Sequence, residues 1–366
     1  MEEKYCDLHL HSYYSDGTES PKYLVSQAKA LGISPIALCD HNTVKGLEEF
    51  LAEAEKQGVE AIPGIEFSVD YQGKELHLLS FGIEKKYYAE IEEKMNEYLK
   101  IRERTNREMV EALRSDGYLI DYEDVLRISG TGYINRAHIC KALVEKGYLS
   151  SVREGFNTLM SKSGPYFRTR KFPGAFDMID YIGEIGAVSI LAHPFLQFDE
   201  KELREFLTEA RKRGLFGMET VYTEFSEEQT ALAQKIAKEF DLLESGGSDY
   251  HGTTKPDVAF GVGFGNLRVP CRLADEIKTR KDVISAHNFC TRQKSELEGD
   301  RRCGCFYCLK IYSPKEITNW LSEGAGTALC PYCGIDSVIG ESSGYPITDE
   351  FLKEMKKYWF REVYYL

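Results

Sequence analysis

The chain has 366 residues, 42% of them hydrophobic, and a formal net charge of −13. That length accommodates one barrel of about 250 residues plus a small extra domain, and no run of eighteen apolar residues offers a membrane span. The acidic balance argues against sequence-independent clamping of a long nucleic acid, but leaves room for a small phosphorylated substrate.

Residues 5–83 read as strand and helix in alternation. Tyr5–His11 is an apolar strand. Ser20 caps a helix that opens at Pro21 and ends at Gly32. Ser34–Cys39 is the next strand, Val44 to about Gly58 the next helix, and Val59–Val69 and Glu75–Ile83 are further strands. Tyr87–Ser115 predicts a long charged helix. It begins a helical insertion, about 87–185, that caps one end of a barrel. Alternation returns after Pro173, with the strands Ala187–Ala192, Leu215–Glu219 and Leu242–Gly246 and helices from Glu200 and Ser226. Such repeats favour a parallel α/β arrangement. Closed into a barrel, they bring every strand's C-terminal end to one face, where loops build an active site. The expected domains are a barrel over 1–265, a connector over 266–302 and a small module over 303–366, the last with a helix from Thr348 to Phe360.

Histidines and acidic residues recur at the predicted strand ends. His9 and His11 are two apart on one strand, so both side chains project to the same side. Asp16 follows in a Ser-Asp-Gly loop, His41 follows the second strand, and Glu66 ends the third, where its carboxylate can bridge two metals. His77 lies on the next strand, and His193, Asp249 and His251 come from late strands. Imidazole nitrogen and carboxylate oxygen form a ligand set for Mn, Fe or Zn. These nine candidates exceed what one ion needs and suit two or three divalent cations. Asp7 and Asp40 either orient ligating imidazoles or serve as strand-end hydrogen-bonding groups. Glu219 reads as structural or supporting.

Ten cysteines in a large chain whose charged Met1–Tyr5 segment shows no signal-peptide pattern fit a cytoplasmic setting better than a disulfide framework. Cys305-Phe-Tyr-Cys308 and, after 21 residues, Cys330-Pro-Tyr-Cys333 form two knuckles with the spacing of a structural zinc site. Four thiolates would close the tetrahedron. Cys303 is a spare that could replace Cys305. Residues 281–366 carry 11 Lys+Arg against 12 Asp+Glu, so partner-protein binding or folding support suits this module as well as nucleic-acid contact.

Asp7-Leu-His-Leu-His-Ser12, Asp40-His-Asn42, Pro63-Gly-Ile-Glu-Phe-Ser68, Ala192-His-Pro194 and Gly247-Ser-Asp-Tyr-His-Gly252 resemble, in order, the signatures of the PHP (polymerase and histidinol phosphatase) domain. The resemblance covers about residues 5–265. It implies a distorted (β/α)7 TIM-like barrel, a trinuclear metal site and phosphoesterase activity. It also implies a grouping: His9, His11, Glu66 and Asp249 around one metal; Glu66, His77 and His193 around a second; Asp16, His41 and His251 around a third. Tyr133-Ile-Asn-Arg-Ala-His138 and Gly164-Pro-Tyr-Phe167 resemble the branch acting on nucleoside 3′,5′-bisphosphates and short oligoribonucleotides, in which Arg136 and His138 would bind substrate phosphate. The nearby Arg168, Arg170 and Lys171 read as a solvated charge run. A cation-activated water would attack phosphorus in line with the leaving oxygen, and no residue stands out as the general acid. The C-terminal module resembles small stand-alone bacterial cytoplasmic proteins. Competing readings are a histidinol-phosphate-type phosphatase, a polymerase-associated exonuclease, a metal amidohydrolase or deaminase, and a zinc-ribbon adaptor with the barrel as scaffold.

Overall fold

A serine and a glycine set the first helix. In the computed structural model Ser20 Oγ accepts from Tyr23 N–H at 3.0 Å, and Gly32, at φ 67°, turns the chain out of the helix. The same punctuation recurs along the first of two units, Met1–Asp275. The structure describes residues 4–129, 134–161, 163–168, 172–321 and 326–360. Tyr133, Arg170 and Lys171, singled out above, lie outside them.

The first unit runs β1 (Tyr5–Leu10), α1 (Pro21–Leu31), β2 (Ile36–Leu38), α2 (Leu47–Gln57), β3 (Ala61–Tyr71), β4 (Lys74–Phe81), α3 (Tyr88–Ser115), α4 (Tyr122–Ser129), α5 (Arg136–Glu145), α6 (Val152–Asn157), α7 (Ala175–Glu184), β5 (Val188–Leu191), α8 (Glu200–Lys212), β6 (Gly217–Tyr222), α9 (Glu227–Glu239), β7 (Leu243–Gly247) and β8 (Val269–Pro270). Its sheet is ordered β7-β6-β5-β4-β3-β2-β1-β8. The far edges approach one another. Asp249 N–H donates to His9 O at 2.9 Å and His11 N–H to Tyr250 O at 3.0 Å. The sheet is thereby a nearly closed, TIM-like barrel.

Two strands depart from a parallel sheet: β8, which pairs antiparallel with β1, and β4. β4 runs antiparallel to both β3 and β5. Gln72 and Gly73, at φ 53° and 76°, form a two-residue turn between the paired Tyr71 and Lys74, the backbone twist that favours a tight hairpin. β4 therefore reaches the barrel mouth with its first half, which carries His77, rather than with its C-terminal end. Glu66 likewise does not end its strand. β2 pairs with β3 only at Ala61–Pro63, whereas β3 pairs with β4 as far as Tyr71. Glu66 is a rim residue on the β2 side and mid-strand on the β4 side.

On β1, Leu10 enters the main core with Leu24, Val25 and Ala28 of α1, and alternation turns His9 and His11 the other way. The insertion has a separate core, in which Met109 and Leu113 of α3 meet Val125, Ile139, Leu143 and Tyr166. α7, within the expected span of the insertion, instead places Met178 and Ile182 in the barrel core.

The second unit, Glu276–Leu366, takes up most of α10 (Cys271–Ala286), then α11 (Lys294–Gly299), β9 (Cys303–Cys305), β10 (Ile311–Tyr312), β11 (Trp320–Leu321), β12 (Thr327–Ala328), β13 (Val338–Gly340) and α12 (Asp349–Trp359). Strands β10-β9-β13 form an antiparallel sheet. The stretch 266–302 is largely helical, and Val283, Ala286 and Cys290 are buried with Phe306, Ile339 and Leu352 of this unit. Among the described residues, no helix is long and apolar enough to cross a membrane.

Candidate metal centre

The barrel mouth gathers the residues that the chain spreads over 240 positions, from His9 to His251. Glu66 is the hub. Its Oε2 lies 3.3 Å from His9 Nε2, 3.2 Å from His11 Nε2 and 3.1 Å from His41 Nδ1. Its Oε1 lies 2.9 Å from His77 Nδ1 and 3.0 Å from His193 Nε2. Asp249 Oδ1 is 3.2 Å from His11 Nε2 and 3.6 Å from His9 Nε2. Asp16 Oδ1 is 3.1 Å from His251 Nε2, and Asp16 Oδ2 is 3.7 Å from His41 Nε2. Three sets bring one ligand atom per residue within 4.8 Å of one another: His9, His11 and Glu66; His41, Glu66 and His77; and His11, Asp16, His41 and His251. His41 faces both Glu66 and Asp16, and His11 and His41 each fall in two sets, whereas the resemblance gave each to one metal. All nine candidates meet at one mouth.

Local backbone aims them. His193 and Asp249 sit at φ 27° and 54°, and Asn42, just after His41, at φ 57°. Left-handed backbone at non-glycine residues is uncommon and costs energy, so its concentration here marks a site held by its surroundings.

The donor set fits cations. His9 Nε2, both ring nitrogens of His11 and Glu66 Oε2 are buried and lack hydrogen-bond partners, and buried polar atoms in that state ask for a ligand or ion. The electrostatics agree. Burial opposes charge on His9, yet Glu219, Glu66 and Asp249 outweigh it and lift its pKa well above the usual value. The same competition, won by Asp249 and Glu66, raises His11 to about 9. Burial would raise Glu66, but His41, His77 and His9 pull it well below the carboxylate range. A pocket this rich in carboxylate demands positive charge, which bound cations supply while the imidazoles stay neutral.

Asp7 and Asp40 take the hydrogen-bonding role, one of the two readings open for them. Asp7 accepts from Ser248 N–H at 2.9 Å and Gly261 N–H at 3.1 Å. Asp40 accepts from Ser12 N–H and Ser15 Oγ, both at 2.7 Å. These two carboxylates tie loops together and orient no imidazole. That role falls to Glu219, whose Oε1 lies 3.0 Å from His9 Nδ1.

Above the mouth is a cavity of about 290 Å³, lined by Asp16, His41, Glu66, His77, His193, Asp249 and His251 and by Arg102, Arg136 and Lys255. Arg136 opens α5. Its guanidinium lies 3.7 Å from Glu75 and over the rings of Phe156 and Phe167 at 5.5 and 5.1 Å. His138 is buried, and its Nδ1 accepts from Asn135 N–H at 3.2 Å as part of the helix cap. Besides Arg102, three residues that sequence reasoning missed join the site. Asn135 caps α5 and donates to Asp16 Oδ2 at 2.6 Å. Tyr222 OH and Lys255 Nζ donate to Asp249 Oδ2 at 2.8 and 2.5 Å.

In the second unit, Cys305, Cys308, Cys330 and Cys333 form another set within 4.8 Å. Cys305 and Cys333 sulfurs are 3.6 Å apart, and Cys308 and Cys330 sulfurs 3.7 Å. Cys303 stands outside the set and donates to Tyr312 O at 3.5 Å.

A barrel whose mouth joins clustered imidazoles and carboxylates to cationic cavity walls defines a class: metal-dependent hydrolases of anionic esters. The chain belongs to the PHP domain family, whose model matches residues 7–228, and it is a metal-dependent phosphoesterase. It is 31% identical over 252 residues to a 5′-3′ exoribonuclease of Haemophilus influenzae, spanning 69% of this chain and 91% of that one. It is 30% identical over 262 residues to a phosphoribosyl 1,2-cyclic phosphate 1,2-diphosphodiesterase of Eggerthella lenta, spanning 70% of this chain and 98% of that one. A solved structure from Bifidobacterium adolescentis, assigned as a metal-dependent phosphoesterase, superposes with a TM-score of 0.67 at 29% identity, covering 76% of this chain and 96% of its own.

Proposed function

We propose that the protein hydrolyses phosphate esters of nucleotides, either nucleoside 3′,5′-bisphosphates or the 5′ ends of short oligoribonucleotides. His9, His11, Asp16, His41, Glu66, His77, His193, Asp249 and His251 would hold two or three divalent transition metals, Mn, Fe or Zn. The observation that carries this reading is the cavity, with a ligand-rich floor beneath walls bearing Arg102, Arg136 and Lys255. Its volume of about 290 Å³ suits a nucleotide-sized group.

Bound cations lower the pKa of water and offset charge on the phosphoryl oxygens. The chain's own groups orient the ester. Arg136, steadied by Glu75 and two aromatic rings, offers a planar fork of donors to a phosphate. Lys255 and Tyr222 fix one oxygen of Asp249, leaving Oδ1 turned toward His9 and His11. Asn135 fixes Asp16 from the insertion, so the cap and the ligand loop move as one. The four knuckle cysteines would hold one structural Zn, with Cys305 rather than Cys303 completing the set.

The test is a ranking. Metal-loaded protein is given adenosine 3′,5′-bisphosphate, AMP, histidinol phosphate, a ribose 1,2-cyclic phosphate and a 5′-phosphorylated short RNA. The bisphosphate or the RNA should be turned over fastest. Preference for histidinol phosphate or the cyclic ester would overturn the nucleotide reading.

A further inference from the structure

A second cavity, of about 270 Å³, shares Arg102 with the metal cavity. Three other segments serve the two in turn. His41 lines the metal cavity, and Thr43 and Lys45 line the second. Asp16 lines the first and Tyr14 the second. Asn135 lines the first and Ile134 the second. The shared wall is fixed: Arg102 is 7% exposed, and its Nε donates to Ile134 O at 2.9 Å, as Asn106 Nδ2 does at 2.8 Å.

The lining chemistry is two-sided. Tyr14 and Leu99 supply aromatic and apolar surface, Asn96 an amide, and Lys45 and Lys100 exposed ammonium groups, while Tyr122 lines the cavity as a largely buried ring. The acidic lining residue Glu103 is paired with Arg107 at 2.8 Å, and Arg107 also lies 3.9 Å from the Tyr122 ring centroid. Lys45 makes only a long contact of 3.7 Å with Glu92. Aromatic and apolar surface beside exposed cations is the composition that single-stranded nucleic acid selects, with bases on rings and phosphates on ammonium groups. An enzyme confined to mononucleotides has no need of it.

We infer that this second cavity is a subsite for the adjoining nucleotide of a ribonucleotide chain whose end occupies the metal cavity. Lys45 and Lys100, beside Arg102, meet the phosphate, and Tyr14 and Leu99 flank the base. The inference rests on the proposed nucleotide function and adds to it the place where the second nucleotide of a chain binds.

The test uses the full metal-loaded protein and the double variant K45A/K100A, which removes two exposed side chains that are not among the candidate ligands. KM is measured for adenosine 3′,5′-bisphosphate and for a 5′-phosphorylated trinucleotide. The variant should raise KM about tenfold for the trinucleotide and leave the bisphosphate unchanged. Equilibrium binding of both compounds is measured alongside. The wild type should bind the trinucleotide more tightly, and the variant should lose that difference. Equal effects on both compounds, or none, would overturn the subsite. Absence of turnover on either compound would instead count against the nucleotide function, and the binding comparison would still decide the subsite.

Discussion

Glu219 Oε1 lies 3.0 Å from His9 Nδ1, with both side chains fully buried. The other Glu219 oxygen accepts from His193 N–H at 2.7 Å. One carboxylate thus sets the tautomer of one candidate ligand and the backbone of another. With Nδ1 as the donor to Glu219, His9 presents a lone pair at Nε2 toward Glu66 and Asp249.

Glu219→Gln tests this. The amide keeps the shape, but its NH₂ would face His9 Nδ1 and push the ring proton to Nε2, the ligating position. Metal affinity should fall roughly ten- to hundredfold, read by titration of the stripped protein, while circular dichroism stays unchanged. Unaltered affinity would remove Glu219 from its orienting role.

Gly247 has a packing reason. A Cβ there would come within 2.4 Å of His9 Cβ and 2.5 Å of His9 N. Gly247→Ala must therefore displace β1 or β7, at about 1–3 kcal/mol, lowering Tm by about 2–4 °C per kcal/mol in a unit of this size. Gly183, where an added Cβ meets nothing within 4 Å, is the control, and Gly183→Ala in α7 should leave Tm level or raise it. A thermal melt of both variants decides it, and equal stabilities would contradict the packing account.

Arg136→Ala should raise KM for a nucleotide about ten- to hundredfold, the worth of a charge-assisted contact, with little change in metal content. Arg136→Lys should rescue poorly, because an ammonium lacks the planar fork and the stacking on Phe156 and Phe167. Steady-state kinetics of the two variants check this, and full rescue by lysine would reduce Arg136 to a point charge.

Cys308→Ser should release about one zinc per chain and make the second unit sensitive to protease, because four thiols, two buried and two half-buried, with small surrounding clusters are a poor core without the metal. Cys303→Ser should retain the zinc. Metal analysis with limited proteolysis reads both, and zinc lost only from Cys303→Ser would reverse the assignment.

The residues at the barrel mouth were legible because each sits in a short segment whose local geometry is written locally. His9 and His11 share a face by strand alternation, and His41, His193 and Asp249 follow strands at turns. The reversal of β4 was legible only in part, since Gln72-Gly73 signals a hairpin but the repeated strand–helix rhythm on either side argues for parallel strands. What stayed hidden are contacts with no local signature. His9 and Glu219 are 210 residues apart, and nothing in a strand-end glutamate says which imidazole it will meet. Lys255 follows the Asp249–His251 signature in an irregular loop, and Arg102 sits among alternating charges on a long helix, so neither stands out from solvated residues. Spacing could not choose between Cys303 and Cys305. The geometry brings Cys305, not Cys303, into the set of four, and the Cys303 sulfur donates to Tyr312 O instead.

The most direct test of the account is phosphate release by protein stripped with a chelator and then titrated with Mn, Fe or Zn, run beside Glu66→Ala. The stripped protein should be inactive. Activity should return in step with metal uptake, and Glu66→Ala should recover neither. Undiminished turnover by metal-free protein, or by Glu66→Ala, would contradict the claim that these imidazoles and carboxylates work by holding cations.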